Sequence, residues 1–420
     1  MTRNRILTGA LLSYLLGYLY VEWIMIGTMP LRYILFAIAF AAFAEYHARI
    51  IRQPHTRLSL FWLGFVLIDC ILMECLLSFP DQFYEIRFLQ TCSIHLAAVY
   101  YVLVRFDLLS QHRTGNLILL DLLSGFILIP FRNLFLRIRT VLSAGILQKA
   151  RSQWMTAFWT VLIAVPVTMF AWSQLADVSQ AFASVHLDLS LFSEETVIKF
   201  ILSIPIGAWL YGLTAGCAER TSPYFEELRV HDSVDACRII PLFTEDTVIG
   251  ILILLYTVFF ITEIRTLMTA DIHLVTQASV FAIQGFWSLC RIMVLNLTVL
   301  GACTCFSPKD SLYEGRRRTE AAVLMGYGLA FCVLNAVKLL HYMSYGITER
   351  RLIAFWVLVC LFCACLTALL HLFRRVQAVR IITVTAAAAF LVLSASVSIL
   401  HPLESYEEAV TDLHREITRI

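Results

Sequence analysis

Eleven stretches of predominantly apolar sequence dominate this chain, each close to the twenty or so residues a helix needs to cross about 30 Å of hydrocarbon. They occupy residues 6–27, 31–47, 59–79, 86–104, 154–174, 195–217, 244–262, 278–301, 321–341, 351–372 and 381–400. In lipid an open strand would leave backbone N–H and C=O groups unpaired, so each stretch reads as a helix. The expected fold is an all-α polytopic transmembrane helix bundle of about 11 spans. Composition agrees, with 60% of the 420 residues hydrophobic and 15% charged, against roughly 45–50% and 25% in soluble domains. A net charge of +2 gives no reason to expect nucleic acid; the expected partner is the lipid bilayer.

The first stretch imitates a signal peptide, because Arg3 and Arg5 precede an apolar run. That run continues to Ile26 with no small-x-small cleavage site, so it reads as the first span. Lysine and arginine placement then sets orientation. With the N-terminus in the cytoplasm, the inner segments 1–5, 48–58, 105–153, 218–243, 302–320 and 373–380 hold 22 of the 32 basic residues, and the outer side holds 7. The C-terminus is then outside, and the cell (cytoplasmic) membrane is the expected location. The chain divides into a four-span segment 1–104, a cytoplasmic amphipathic interfacial segment 105–153, a seven-span segment 154–400 and an external tail 401–420. Within 105–153, residues 117–131 are the rival piece, re-entrant or spanning, although a full crossing would invert every later span. None of the twelve cysteines falls in an external loop, which fits a chain without disulfides.

Three motifs carry a resemblance. Phe281-Ala282-Ile283-Gln284-Gly285-Phe286-Trp287, followed by Asn296, resembles a Tyr-Ala-Arg-x-Gly-Phe-Phe run with a helix Asn. Tyr345-Gly346-Ile347-Thr348-Glu349-Arg350-Arg351-Leu352 resembles Tyr-Gly-Leu-Thr-x-x-Arg-Leu, and Leu175-Ala176-Asp177 resembles a Leu-x-Ala-Asp sequence. Through these motifs the chain resembles a bacterial family of multi-pass proteins, domain of unknown function 4173, whose sister family is 4153. The resemblance covers roughly 150 to 420, departs at Ile283 and His401-Pro402, and implies architecture without an activity. From the residues themselves, Tyr345 suits an interfacial aromatic belt, Gly346 a tight turn, Thr348 a helix cap and Arg351 a headgroup anchor.

A charge at mid-bilayer costs about 2.5–3.5 kcal/mol on insertion scales, so deep polar residues need partners or water. Asp69, His95 and Arg291 lie nearest the middle of their spans and form a candidate polar cluster, either an ion pair lining a path or a fixed tie between helices. Glu22, Glu74, Lys199 and Lys338 sit toward outer ends, where they either snorkel or line an outer vestibule. Pro166 and Pro205 interrupt consecutive spans, and Gly212-Leu-Thr-Ala-Gly216 is a small-xxx-small pattern permitting close helix approach.

There is no Gly-x-Ser-x-Gly elbow, no His-Glu-x-x-His pair and no phosphate-binding Gly loop, so no catalytic residue, metal ligand or cofactor is assigned. The favoured function is permease-like handling of a solute or ion. A membrane sensor or scaffold acting on a protein partner through 105–153 and 218–243 is the alternative, and an intramembrane enzyme acting on lipid-linked substrates is the third.

Overall fold

The computed structural model describes residues 2–79, 83–143, 194–269, 278–309, 311–313, 315–343 and 348–417, with isolated positions between 160 and 171. All its regular elements are helical, and no strand occurs among the described residues. The helices are α1 Thr2–Leu19, continued by a π-helical turn Tyr20–Ile26, α2 Arg32–Ile50, α3 Arg57–Leu77, α4 Tyr84–Arg105, α5 Ile118–Leu123, α6 Ile129–Arg132, α7 Leu136–Ser143, α8 Glu194–Glu219, α9 Glu227–Ala236, α10 Leu242–Thr269, α11 Ala278–Phe306, α12 Gly315–Met343, α13 Glu349–Arg374 and α14 Ala378–Ile417. Ten helical stretches among the described residues are long and apolar enough to cross a membrane, and they correspond to ten of the expected spans. The expected span 154–174, with Pro166, lies outside the described residues, as do Asp177 and most of the segment around it.

The helices group into two units. The first comprises residues 1–74, 96–108 and 122–222, and the second comprises 75–95, 109–121 and 223–420.

In the first unit, α1 packs along α8, and α2, α6 and α7 pack against one or both of them. The α1–α8 contact is unusually intimate because glycines meet. A methyl added to Gly17 would lie 2.8 Å from the Cα of Gly207 and collide with the carbonyl of Ser203. Small residues let two helix backbones touch, which maximises dispersion contact where lipid removes the usual hydrophobic drive. The small-xxx-small pair does similar work elsewhere on α8. A methyl on Gly212 would meet the carbonyl of Pro130 at 2.8 Å, and Gly216 faces Asn133. The neighbour these two glycines admit is thus the corner after α6. Helical structure from 118 to 132, including a π-helical turn at Ser124–Leu128, gives a rod of about 22 Å, shorter than a membrane crossing.

The cytoplasm-facing end expected for α2 and α4 is fastened by one arginine. Arg105 has a side chain 1% exposed and grips Glu45 as a fork, Nε to Oε1 at 2.7 Å and Nη2 to Oε2 at 3.0 Å. Its remaining nitrogen donates to the carbonyls of Gln53 and Pro54, and Tyr101 donates to Glu45 at 2.9 Å. Each polar atom of the guanidinium therefore has a partner, which is the condition under which a buried ion pair holds.

The second unit is built on α10 to α14, with a core running through Met293, Leu300, Leu324, Phe331 and Leu361. At one end Glu349 accepts the N–H of Ile86 at 2.7 Å while Arg350 pairs with Glu85, so α13 is tied to the start of α4. At the other end Arg238 donates to the carbonyls of Thr304 and Ser307, satisfying the last turn of α11. Its hydrogen bond to Asp235 also holds that exposed carboxyl below the ordinary aspartate range.

Replacing Arg105 with Met removes the fork and leaves the part-buried Glu45 with only Tyr101 and His55 beside it among the described residues. The expected loss is about 3–5 kcal/mol, read as a lower thermal midpoint and poorer yield in detergent. A midpoint equal to wild type would show that the fork is not what fastens α2 to α4.

Candidate functional site

Two buried polar assemblies stand out, one in each unit. In the second, α10, α11 and α12 bring together Tyr256, Asn296 and Tyr327. The Tyr256 hydroxyl donates to Asn296 Oδ1 at 2.7 Å, and Thr257 shares a 2.6 Å hydrogen bond with the Tyr327 hydroxyl. The rings of Tyr256 and Tyr327 meet edge-on at 5.9 Å. Along the same α11–α12 seam, Asn335 donates to the carbonyl of Phe286 at 3.3 Å and lies beside Cys290. Both asparagines are 0% exposed. Each retains unused capacity, since Asn296 Nδ2 and Asn335 Oδ1 have no hydrogen-bond partner. An amide donor or acceptor buried without a partner costs about 1–3 kcal/mol, so this seam holds polarity that packing alone does not require.

Two of the sequence motif residues are placed in this unit's interior. Phe286 is 7% exposed within the core and offers its carbonyl to Asn335, and Asn296 is the buried acceptor of Tyr256. Gly285 is half-buried on α11.

Comparison with known families decides where this arrangement belongs. The chain matches the family described as a domain of unknown function, DUF4153, over residues 70–399. It is a member of the DUF4153 family. The match starts within α3, well before residue 150, so the family likeness reaches into the N-terminal spans as well. No curated protein and no solved structure matches the chain.

The other motif residues of this DUF4153 chain divide. Tyr345 and Gly346 lie outside the described residues. Thr348 occupies the position before α13 with an extended backbone, and its carbonyl accepts the N–H groups of Arg351 and Leu352. Its hydroxyl makes no capping bond, because the position rather than the side chain starts the helix. Arg351 is half-buried in the first turn.

Of the expected mid-span cluster, Asp69 is 0% exposed on α3 in the first unit. His95 and Arg291 belong to the second unit, His95 with Nδ1 2.6 Å from the carbonyl of Thr91 and Arg291 exposed on α11. Among the outer-end residues, Lys199 bonds Glu22 at 2.7 Å and Glu195 at 2.6 Å, which joins α8 to the π-helical turn after α1. Glu74 accepts the N–H groups of Leu31 and Tyr33 at 3.0 and 2.7 Å. It thereby satisfies orphan donors at the start of α2, where Leu31 has a left-handed backbone. Lys338 is half-buried on α12 in the second unit.

The second assembly surrounds Arg137 of α7, at the α1–α8 crossing. Its guanidinium lies 3.8 Å from the Tyr14 ring centroid and donates through Nη2 to the carbonyl of Ile204 at 2.7 Å, just before Pro205. Gly207, the midpoint of the apolar stretch Glu195–Glu219, makes room for it: a methyl there would sit 2.7 Å from Nη1. Farther along α8, Tyr211 reaches Thr140 at 3.4 Å and meets the buried ring of His47.

Tyr256, Asn335 and Arg137 went unassigned on sequence. Asn335 has a readable signal, a polar residue within an apolar span, whereas Tyr256 is one of many tyrosines and Arg137 reads as one more basic residue of an interfacial segment. Among the described residues no cluster of His, Cys, Asp or Glu has the geometry to hold a metal ion.

The Tyr256–Asn296 bond is measurable alone. A double-mutant cycle with Tyr256→Phe and Asn296→Ala should give a coupling of about 0.6 kcal/mol and no more than about 1.7 kcal/mol, the range for hydrogen bonds between membrane helices. Additive losses in unfolding free energy would show that no bond joins α10 to α11.

Proposed function

We propose that the protein is a permease-like membrane protein of the cytoplasmic membrane, with its N-terminus inside, which handles a small polar solute through the seam of α10, α11 and α12. The observation carrying this reading is the unused hydrogen-bonding capacity of Asn296 and Asn335, a donor and an acceptor buried in the same helix interface. A seam whose role was only to join helices would be favoured with those atoms paired or replaced by apolar groups. Hydroxyl or amide groups of a solute supply the missing partner at each amide in turn, since Asn335 meets α11 at Phe286 and Cys290, about 9–15 Å along the helix from Asn296. Tyr256, Thr257 and Tyr327 extend the polar surface beside Asn296. Kinship with family 4173 and a bacterial source belong to the same proposal, and both rest on the sequence motifs.

Transport needs the seam to reach water in at least one state of the protein. An Asn296→Cys variant in membranes, treated with a water-soluble thiol reagent and analysed by peptide mass spectrometry, reads this directly. Modification at position 296 is the expected outcome, at least tenfold above that of the native Cys217, which is buried in the first unit. Equal inertness of both positions would favour a sealed tie between helices and the sensor or scaffold reading.

A further inference from the structure

Arg137 is the group in the first unit whose burial is least explained. It is 1% exposed, yet Nε and Nη1 have no hydrogen-bond partner, and no carboxylate among the described residues pairs with it. Among the described residues its polar partners are one backbone carbonyl and the face of Tyr14. Arg105, in the same unit, illustrates what a buried arginine with a structural role looks like: a carboxylate fork and two carbonyls complete its set. If Arg137 served only to fill the α1–α8 crossing, an apolar side chain of similar volume would do so without desolvating a charge. A methyl at Gly207 would collide first with the backbone carbonyl of Ser13 on α1 and then with Nη1 at 2.7 Å, so this glycine serves both the α1–α8 contact and the space the guanidinium occupies.

We infer that Arg137 is the recognition group of a gated site for a phosphate-type oxyanion. Guanidinium is planar, permanently charged and matched in geometry to two oxygens of a phosphate, and it stacks on aromatic faces in the way Tyr14 holds it here. The ring fixes the plane of the guanidinium while Ile204 occupies one nitrogen, leaving Nε and Nη1 for the anion. Because the group is covered in this structure, the anion reaches it when α1 and α8 part at the Gly17–Gly207 contact. The phosphate has two sources in a membrane, a phospholipid headgroup or a free phosphorylated solute, and the chemistry of recognition is common to both. The inference does not depend on the solute-handling reading of the α10–α12 seam.

The test uses the full chain purified in detergent and delipidated, as wild type, Arg137→Gln and Arg137→Lys. Thermal unfolding is followed against inorganic phosphate, with chloride at matched ionic strength as control, and native mass spectrometry measures retained phospholipid. A phosphate-dependent rise of several degrees in the wild-type midpoint, absent in Arg137→Gln and reduced in Arg137→Lys, identifies a site for a soluble anion. One phospholipid retained on wild type and lost from Arg137→Gln identifies a headgroup site. Should Arg137→Gln fail to fold, Arg137→Lys gives the same comparison, since it keeps the charge but cannot offer two paired nitrogens to the anion. Neither a phosphate shift nor a retained phospholipid in wild type, or equal effects in wild type and both variants, overturns the inference.

Discussion

A polar group carried into a helix bundle in lipid has no water to return to, and the structure is organised by how each such group is partnered. Most are answered within the protein. Glu45 meets Arg105, Glu22 meets Lys199, and Glu74 takes two backbone N–H groups at the start of α2. These pairings join consecutive or distant helices and need no ligand to explain them. Asn296, Asn335 and Arg137 belong to a smaller set, with His47 and Glu245 among its other members, in which a buried side chain keeps atoms that find no partner. The functional reading follows from that contrast within one protein, where the same residue type is complete at Arg105 and incomplete at Arg137.

Backbone approach is the second organising device. Gly17 and Gly207 let α1 and α8 touch, and Gly212 and Gly216 admit the corner after α6 along the same helix. Two partners on one helix thus use small residues, where larger side chains would hold the elements apart. The arrangement also explains how α7, a short helix with a charged side chain, reaches the midpoint of a long apolar one.

Apolar runs in the sequence made the helices legible, because the length needed to span lipid is set by the bilayer and not by tertiary context. Partnerships were less legible. Glu74 read as a vestibule residue, since nothing in its own neighbourhood announces that the chain 40 residues earlier turns through a left-handed Leu31 and presents two N–H groups. Glu22 and Lys199 were singled out for similar depth and opposite sign, and depth was enough to bring them together. Arg137 was hidden by its neighbours Arg132 and Arg139, which are exposed. Only the fold distinguishes the buried member of such a series. Asn296 carried a motif signal, while its partner Tyr256 was one tyrosine among sixteen.

The account turns on whether the buried amides of the α10–α12 seam face a polar occupant. A cryo-electron microscopy map of the protein in lipid nanodiscs, at a resolution that shows ordered water, examines this most directly. The account predicts water or solute density within hydrogen-bonding distance of Asn296 Nδ2 and Asn335 Oδ1. Apolar side chains closed over both atoms, with no density between them, would contradict it.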